Sequence, residues 1–428
     1  MDTKEIFNHK INEKIMHAET PNGLKIYFMP KKGYTKKFAI FSTNYGSTDN
    51  IFVPIGESSP LEVPEGIAHF LEHKLFEDEE SNLFEKFSKM GADVNAFTNF
   101  NQTSYLFTST DHFYENLELL VKFVQSPYFT EENVEKEKGI IAQEIKMYED
   151  NPGWKVFFNL LKCMYKSHPV KIDIAGTVES IQSIDKELLY RCYNTFYHPS
   201  NMVLFVVGDL SFDEIVKVVN RSEKSFQGSQ NEINRISPME PEEVEERFIE
   251  EKMVTSTPLF HMGFKDSDVG YTGKRAVKKD MITNIILDML FGSSSVFYNK
   301  LYEEGLIDTS FGAYYTGKGS YGHSLILGQS NRPEEVYKRV MDYIENAGEK
   351  ALNEENFNRI KKKELGQFLF SLNSIDSIAY NFTDLYFNDF LFTDLFSLLE
   401  EVDYNDILDR YKTHFHKDNV ALSIIKPL

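Results

Sequence analysis

Gly66-Ile67-Ala68-His69-Phe70-Leu71-Glu72-His73-Lys74-Leu75-Phe76 is the stretch from which the rest of this chain can be read. No proline interrupts it, and its apolar residues fall at helical intervals, so the spacing predicts a helix. At about 100° per residue, His73 lies about 40° round that helix from His69, and Glu72 about 60° to the other side. Two imidazoles one turn apart on one face can grip a single zinc ion, and the carboxylate between them can act as a base toward water at that metal. Paired histidines on a helix face are more often simply solvated, so the remainder of a metal site has to be found elsewhere in the sequence.

A catalytic zinc takes three protein ligands and keeps a position open. Cys163 and Cys192 are isolated, which disfavours a thiolate site. A carboxylate on a second helix is the better candidate. Residues 130–150 read TEENVEKEKGIIAQEIKMYED: Thr130 is a plausible N-cap, the first turn is acidic, and Asn151-Pro152-Gly153 stops the helix. Glu137, Ile141, Glu144 and Tyr148 fall on one face of it, so Glu137 and Glu144 point the same way, two turns apart. The spacing does not choose between them.

The box followed by an E-x6-E helix resembles the pitrilysin family of zinc peptidases, which includes the mitochondrial processing peptidases and carries its zinc box in the H-x-x-E-H order called inverzincin. Gly91-Ala92-Asp93-Val94-Asn95-Ala96-Phe97-Thr98 with Thr103-Ser104-Tyr105, and Gly176-Thr177-Val178-Glu179-Ser180-Ile181, resemble two further family motifs. The likeness spans almost the whole chain and is nearest to a bacterial subgroup. It implies one Zn2+ per chain held by His69, His73 and Glu144, with Glu72 as the catalytic base and Glu137 supporting the site from behind a ligand. It also implies that an extended peptide adds as a strand along Asn95, Ala96 and Phe97. The activity implied is metalloendopeptidase; the alternatives are a non-catalytic or weakly active assembly subunit, or another zinc hydrolase such as an amidase.

The chain has 428 residues, too many for one ordinary core. Tyr193-Asn194-Thr195-Phe196-Tyr197-His198-Pro199-Ser200-Asn201 precedes an apolar strand at 202–207. Tyr411-Lys412-Thr413-His414-Phe415-His416-Lys417-Asp418-Asn419 precedes another at 420–425, with Tyr, Thr, His and Asn matching in register. Two homologous halves follow from this: a zinc-binding peptidase domain over 1–227, a polar linker over 228–247, and a related domain without zinc over 248–428. His198 and His416, at matching turns, are read as structural. The expected class is α+β, each half a mostly antiparallel sheet with helices packed on one face. A net charge of −20 disfavours nucleic acid and anionic membranes. Without an 18-residue apolar run or a signal-peptide core, the protein is expected to be cytoplasmic.

One segment departs from the family. An arginine and a tyrosine that bind substrate are expected within Leu301-Tyr302-Glu303-Glu304-Gly305-Leu306-Ile307-Asp308, where Tyr302 and Asp308 stand instead. No arginine occurs between Arg275 and Arg332. The expectation is therefore a partner subunit of the same family, itself lacking the zinc box, that supplies the missing groups.

Overall fold

The apolar runs at 202–208 and 420–427 do not alternate because each strand is buried on both faces. In a computed structural model describing residues 3–77, 83–224, 233–346 and 348–428 they occupy inner positions of two sheets. The first sheet contains β1 (Lys4–Asn8), β2 (Glu13–Glu19), β3 (Lys25–Pro30), β4 (Lys37–Thr43), β7 (Ala92–Thr98), β8 (Thr103–Ser109) and β9 (Met202–Gly208), in the order β1-β2-β3-β9-β4-β8-β7. The short β5 (Ile51–Phe52) and β6 (Leu61–Glu62) pair separately. The second sheet contains β10 (Phe248–Met253), β11 (Leu259–Lys265), β12 (Gly312–Lys318), β13 (Tyr321–Gln329) and β14 (Val420–Pro427), in the order β10-β14-β11-β13-β12. Each sheet has one parallel pair, β3 with β9 and β10 with β14; the other pairs are antiparallel. The class is α+β, as the sequence predicted. Strands β1 and β2, in a polar N-terminal stretch, escaped the periodicity reading because much of their surface faces solvent.

The matching turns are built alike. Asn201 donates its side-chain amide to the carbonyls of Phe196 at 2.8 Å and Asn44 at 3.2 Å. Asn419 donates to His414 at 2.8 Å and Lys265 at 2.7 Å. Each asparagine thus closes a helix end and ties it to the neighbouring strand. His198 accepts from the Ser200 backbone and His416 donates its backbone N–H to Asn419, helix-end roles in both cases.

Helices from the same half cover one face of the first sheet, with Ala39, Phe41, Leu204 and Val206 in that core. The other face, carrying Phe38, Ile40, Val203 and Phe205, is covered from the second half by helix Ile375–Tyr386. Phe382 on that helix stacks on Phe205 with ring centroids 4.1 Å apart. The exchange is reciprocal: helix Pro152–Met164 of the first half packs on the second sheet, joining Leu160, Leu161 and Met164 to Leu325 and Ala421. Gly263 on β11 permits that approach, because a Cβ there would come within 2.8 Å of the Met164 sulfur.

Residues 225–232, which include the start of the expected linker, lie outside the described residues. Those that follow are held in place: Ile233 packs on the first core, Arg235 pairs with Asp49 at 2.8 Å, and Glu240 pairs with Lys265 at 2.6 Å. Among the described residues no single helix is long and apolar enough to cross a membrane; the bent pair Gly273–Phe291 and Val296–Glu303 is apolar where it fills the second core.

Because each half covers the other's sheet, the two should unfold together. Phe382→Ala is expected to cost about 3–5 kcal/mol. Denaturant unfolding followed by the fluorescence of Trp154, the single tryptophan, and by far-UV circular dichroism checks this. Both midpoints should fall by the same amount, and separate midpoints would show that the halves unfold independently.

Candidate metal centre and peptide edge

The predicted box helix is present at Ile67–Leu75, and most of it is buried. Ile67, Ala68, Phe70, Leu71 and Leu75 enter the first core, so His69, Glu72 and Lys74 are carried inside with them. Its start is fixed by main-chain contact. Gly66 has φ 86° and Gly176 φ 75°, both in the left-handed region that favours glycine. A Cβ on Gly66 would lie 2.2 Å from the Ala175 carbonyl oxygen, and one on Gly176 would lie 2.4 Å from that of Glu65. Ser180 donates to the same Glu65 carbonyl at 2.9 Å. The Gly176–Ile181 motif is therefore the seat of the box helix.

The second helix runs Glu131–Glu149, with Thr130 as N-cap in a capping box with Asn133. Ligand atoms of His69, His73 and Glu144 all lie within 4.8 Å of one another, the one such cluster among the described residues. His69 Nε2 is 3.7 Å from Glu144 Oε1, and His73 Nε2 is 3.4 Å from Glu144 Oε2. Zinc bonds of about 2.0–2.2 Å at tetrahedral angles put ligand atoms roughly 3.3–3.6 Å apart, so this donor set fits that ion.

Glu137 stands behind the cluster. Its Oε1 meets His73 Nδ1 at 3.1 Å, and its Oε2 lies 3.6 Å from the ammonium of Lys74. Both oxygens are thereby engaged, which separates the two glutamates that spacing alone left equivalent. Lys74 is fully buried and also donates to the Asn133 carbonyl at 3.1 Å. Glu72 Oε2 accepts from the Thr98 hydroxyl at 2.6 Å. Burial raises the Glu72 carboxyl to about 7, against the Thr98 hydrogen bond. Burial and then the neighbouring His73 push His69 down to about 3. For His73 burial acts downward, but the Glu137 hydrogen bond and three surrounding carboxylates outweigh it and hold the imidazole above its ordinary value. Glu137 is held low by His73 and Lys74, although burial opposes them.

Strand β7 is the sheet edge next to these groups. Asn95 and Ala96 line a cavity of about 700 Å³ together with Glu72, His73, Phe76 and Tyr128. The Ala96 N–H is held by the Asn95 side-chain oxygen at 2.9 Å. Phe97 turns away and packs against Tyr380 of the second half, with centroids 5.7 Å apart. The edge of the second sheet differs: Asn284 accepts from the Tyr315 N–H at 2.8 Å and donates to its carbonyl at 3.3 Å, so both main-chain groups of that residue are occupied. Tyr302 is half exposed and stacked on Tyr298, and Asp308 accepts from the backbone and hydroxyl of Ser310 within its own turn.

Sequence reasoning missed Thr98 and Lys74 as members of the site, and Tyr148 as a donor to Glu144 at 2.9 Å. A lysine inside the run FLEHKLF was the available signal, since a buried ammonium requires a carboxylate partner.

The insulinase (peptidase family M16) model matches residues 41–178, and the peptidase M16 inactive domain model matches 183–364. The chain is 43% identical to the uncharacterized zinc protease YmfH of Bacillus subtilis (strain 168), over 99% of each. A crystal structure of a putative M16-like peptidase from Alicyclobacillus acidocaldarius superposes with a TM-score of 0.93 at 38% identity, covering 97% of this chain and 99% of that one. The mitochondrial-processing peptidase subunit beta of Bos taurus is 27% identical over 64% of this chain and 58% of its own length.

The glycine seat is testable. Gly176→Ala should lose about 1–2 kcal/mol from the left-handed backbone alone, and more because the methyl meets Glu65. Gly91→Ala, at φ 70° with open space around the added carbon, reports the backbone cost alone. Thermal denaturation should show a clearly larger loss for Gly176→Ala, and equal losses would mean that the contact with Glu65 is unimportant.

Proposed function

The chain belongs to the insulinase family of peptidases, peptidase family M16, and from that premise we propose that it is a zinc-dependent metalloendopeptidase. The observation that carries this reading is the convergence of His69, His73 and Glu144 beside Glu72 and an open strand edge. Zinc held by those three residues would supply Lewis acidity and make water nucleophilic near neutral pH. Glu72 takes the proton of the attacking water and passes it to the leaving amine. Thr98 fixes Oε2 of Glu72 and leaves Oε1 for that traffic. Glu137 accepts from His73 Nδ1 and so turns Nε2 toward the metal. An extended peptide adds along β7, replacing the hydrogen bond between Ala96 and Asn95 with one to its own backbone.

The expected outcome for Glu144→Gln is substantial zinc loss by metal analysis, and for Glu137→Gln about 10–100-fold weaker binding. Glu72→Gln should keep zinc and fold yet lose ~10²–10⁴ or more in peptide hydrolysis. Wild-type cleavage by Glu72→Gln would remove the proposed base.

The finer reading is that this chain is the catalytic member of a heterodimer. It is supported by the absence of the substrate-binding arginine and tyrosine, whose expected positions hold Tyr302 and Asp308, and by the likeness to a peptidase named as a beta subunit. The intact set His69, Glu72, His73 and Glu144 speaks against an assembly subunit without catalysis. Weak peptidase activity alone should rise strongly with a partner of the same family that lacks the zinc box, and replacing that partner's substrate-binding arginine should abolish the rise. Full activity of the purified chain, unchanged by any such partner, would show a self-sufficient enzyme.

A further inference from the structure

Glu144 has two oxygens, and a four-coordinate site that keeps one position open for water takes only one of them. Oε2 lies 3.4 Å from His73 Nε2, and Oε1 lies 3.7 Å from His69 Nε2. Oε1 accepts a hydrogen bond from the Tyr148 hydroxyl at 2.9 Å. We propose that Tyr148 is a positioning residue that limits Glu144 to a single ligand oxygen, and that it is anchored through Trp154 to the same turn that seats the box helix. This assignment rests on the metal site proposed above.

The anchoring runs through named contacts. The Tyr148 ring stacks on Trp154 with centroids 4.7 Å apart and planes 19° from parallel. The Trp154 indole donates to Asp173 Oδ2. Asp173 Oδ1 accepts the Ala175 N–H at 3.0 Å, and its carbonyl accepts the Gly176 N–H at 2.9 Å. Ala175 and Gly176 are the residues pressed against Gly66 and Glu65 at the start of the box helix. A closed circuit results, from His69 and His73 through the glycine contact, Asp173, Trp154 and Tyr148 to Glu144. Space of about 410 Å³ opens beside the stack, lined by Tyr148, Trp154, Asp173 and Gly176. Packing alone therefore does not hold the phenol; the hydrogen bond and the stack do. A tyrosine four residues after a ligand on the same helix face lies one turn away, the spacing at which side chains meet.

The hydroxyl is tested by Tyr148→Phe, which keeps the ring and its stack. Zinc should be retained, while kcat falls ~10–100-fold with KM near the wild-type value. In the cobalt(II)-substituted full-length protein the visible bands of a four-coordinate ion should weaken toward those of a five-coordinate one, as Oε1 becomes free to bind. Trp154→Phe, which removes the indole donor, should move the spectrum in the same direction by less. A Tyr148→Phe protein with bound metal and a wild-type spectrum and kcat would overturn this assignment alone. A wild-type chain that binds no metal would overturn the site and the assignment together.

Discussion

The Glu137 carboxylate, held between His73 and the buried ammonium of Lys74, is the interaction on which the site depends. The box helix has to be apolar to enter the first core, yet it takes His69, Glu72 and Lys74 in with it. An uncompensated buried charge costs several kcal/mol; Glu77, just past the helix end, pairs with Lys74 at 2.5 Å, and a second carboxylate comes from the other helix. Glu137 meets that need from one side, and its second bond fixes the His73 ring. Glu144, two turns further along the same helix, is then delivered to the opposite side of the imidazoles. A structural requirement for charge pairing and a chemical requirement for a third donor are met by one helix face.

The five strands of the second sheet repeat the order of β3-β9-β4-β8-β7 in the first, to which β1 and β2 are added, and the corresponding edges β7 and β12 differ. In the first sheet edge strand β7 faces a cavity, and its Ala96 N–H is held by the neighbouring Asn95 side chain. In the second, Asn284 holds both main-chain groups of Tyr315. Beneath that strand lies a satisfied ion network: Asp266 accepts from Arg410 at 2.7 and 3.1 Å and from the Tyr315 hydroxyl at 2.5 Å, with the Lys279 ammonium 3.0 Å away. One carboxylate faces two cations there, and no cluster of metal-ligating groups forms among the described residues. The same scaffold thus carries an accessible edge in one copy and a blocked one in the other.

Much of this was legible in the sequence. The box and the E-x6-E helix were readable because helical periodicity and metal chemistry demand the same spacings. The repeat was readable because an asparagine that closes a helix end and ties down a strand tolerates few replacements, and Asn201 and Asn419 do the same work. What could not be read was which glutamate joins the cluster of His69 and His73, since both lie on one helix face; the structure places Glu144 there and Glu137 against His73 Nδ1 and Lys74. The exchange of helices between halves was hidden as well. Helix Ile375–Tyr386 carries an apolar face whose destination, a sheet whose strands lie within residues 4–208, leaves no local trace. The segment after 232 read as linker because its anchors, Arg235 and Glu240, are polar.

That exchange bears on why a half without metal ligands belongs to the site. Among the described residues strand β7 has no neighbour on its outer side, and the outward N–H and C=O groups of such an edge are a ready template for a further strand. Its inner face rests on the first core through Val94 and Ala96. Its other face is met by the second half, where Phe97 packs against Tyr380. Tyr380 lies on the same helix as Phe382, which is stacked into the centre of the first sheet. The edge is therefore clamped between two cores while Asn95 and Ala96 on it line the cavity. On the proposed function, rigidity of the peptide template would come from the second half and chemistry from the first, so a half without a metal-ligand cluster among the described residues would contribute through packing.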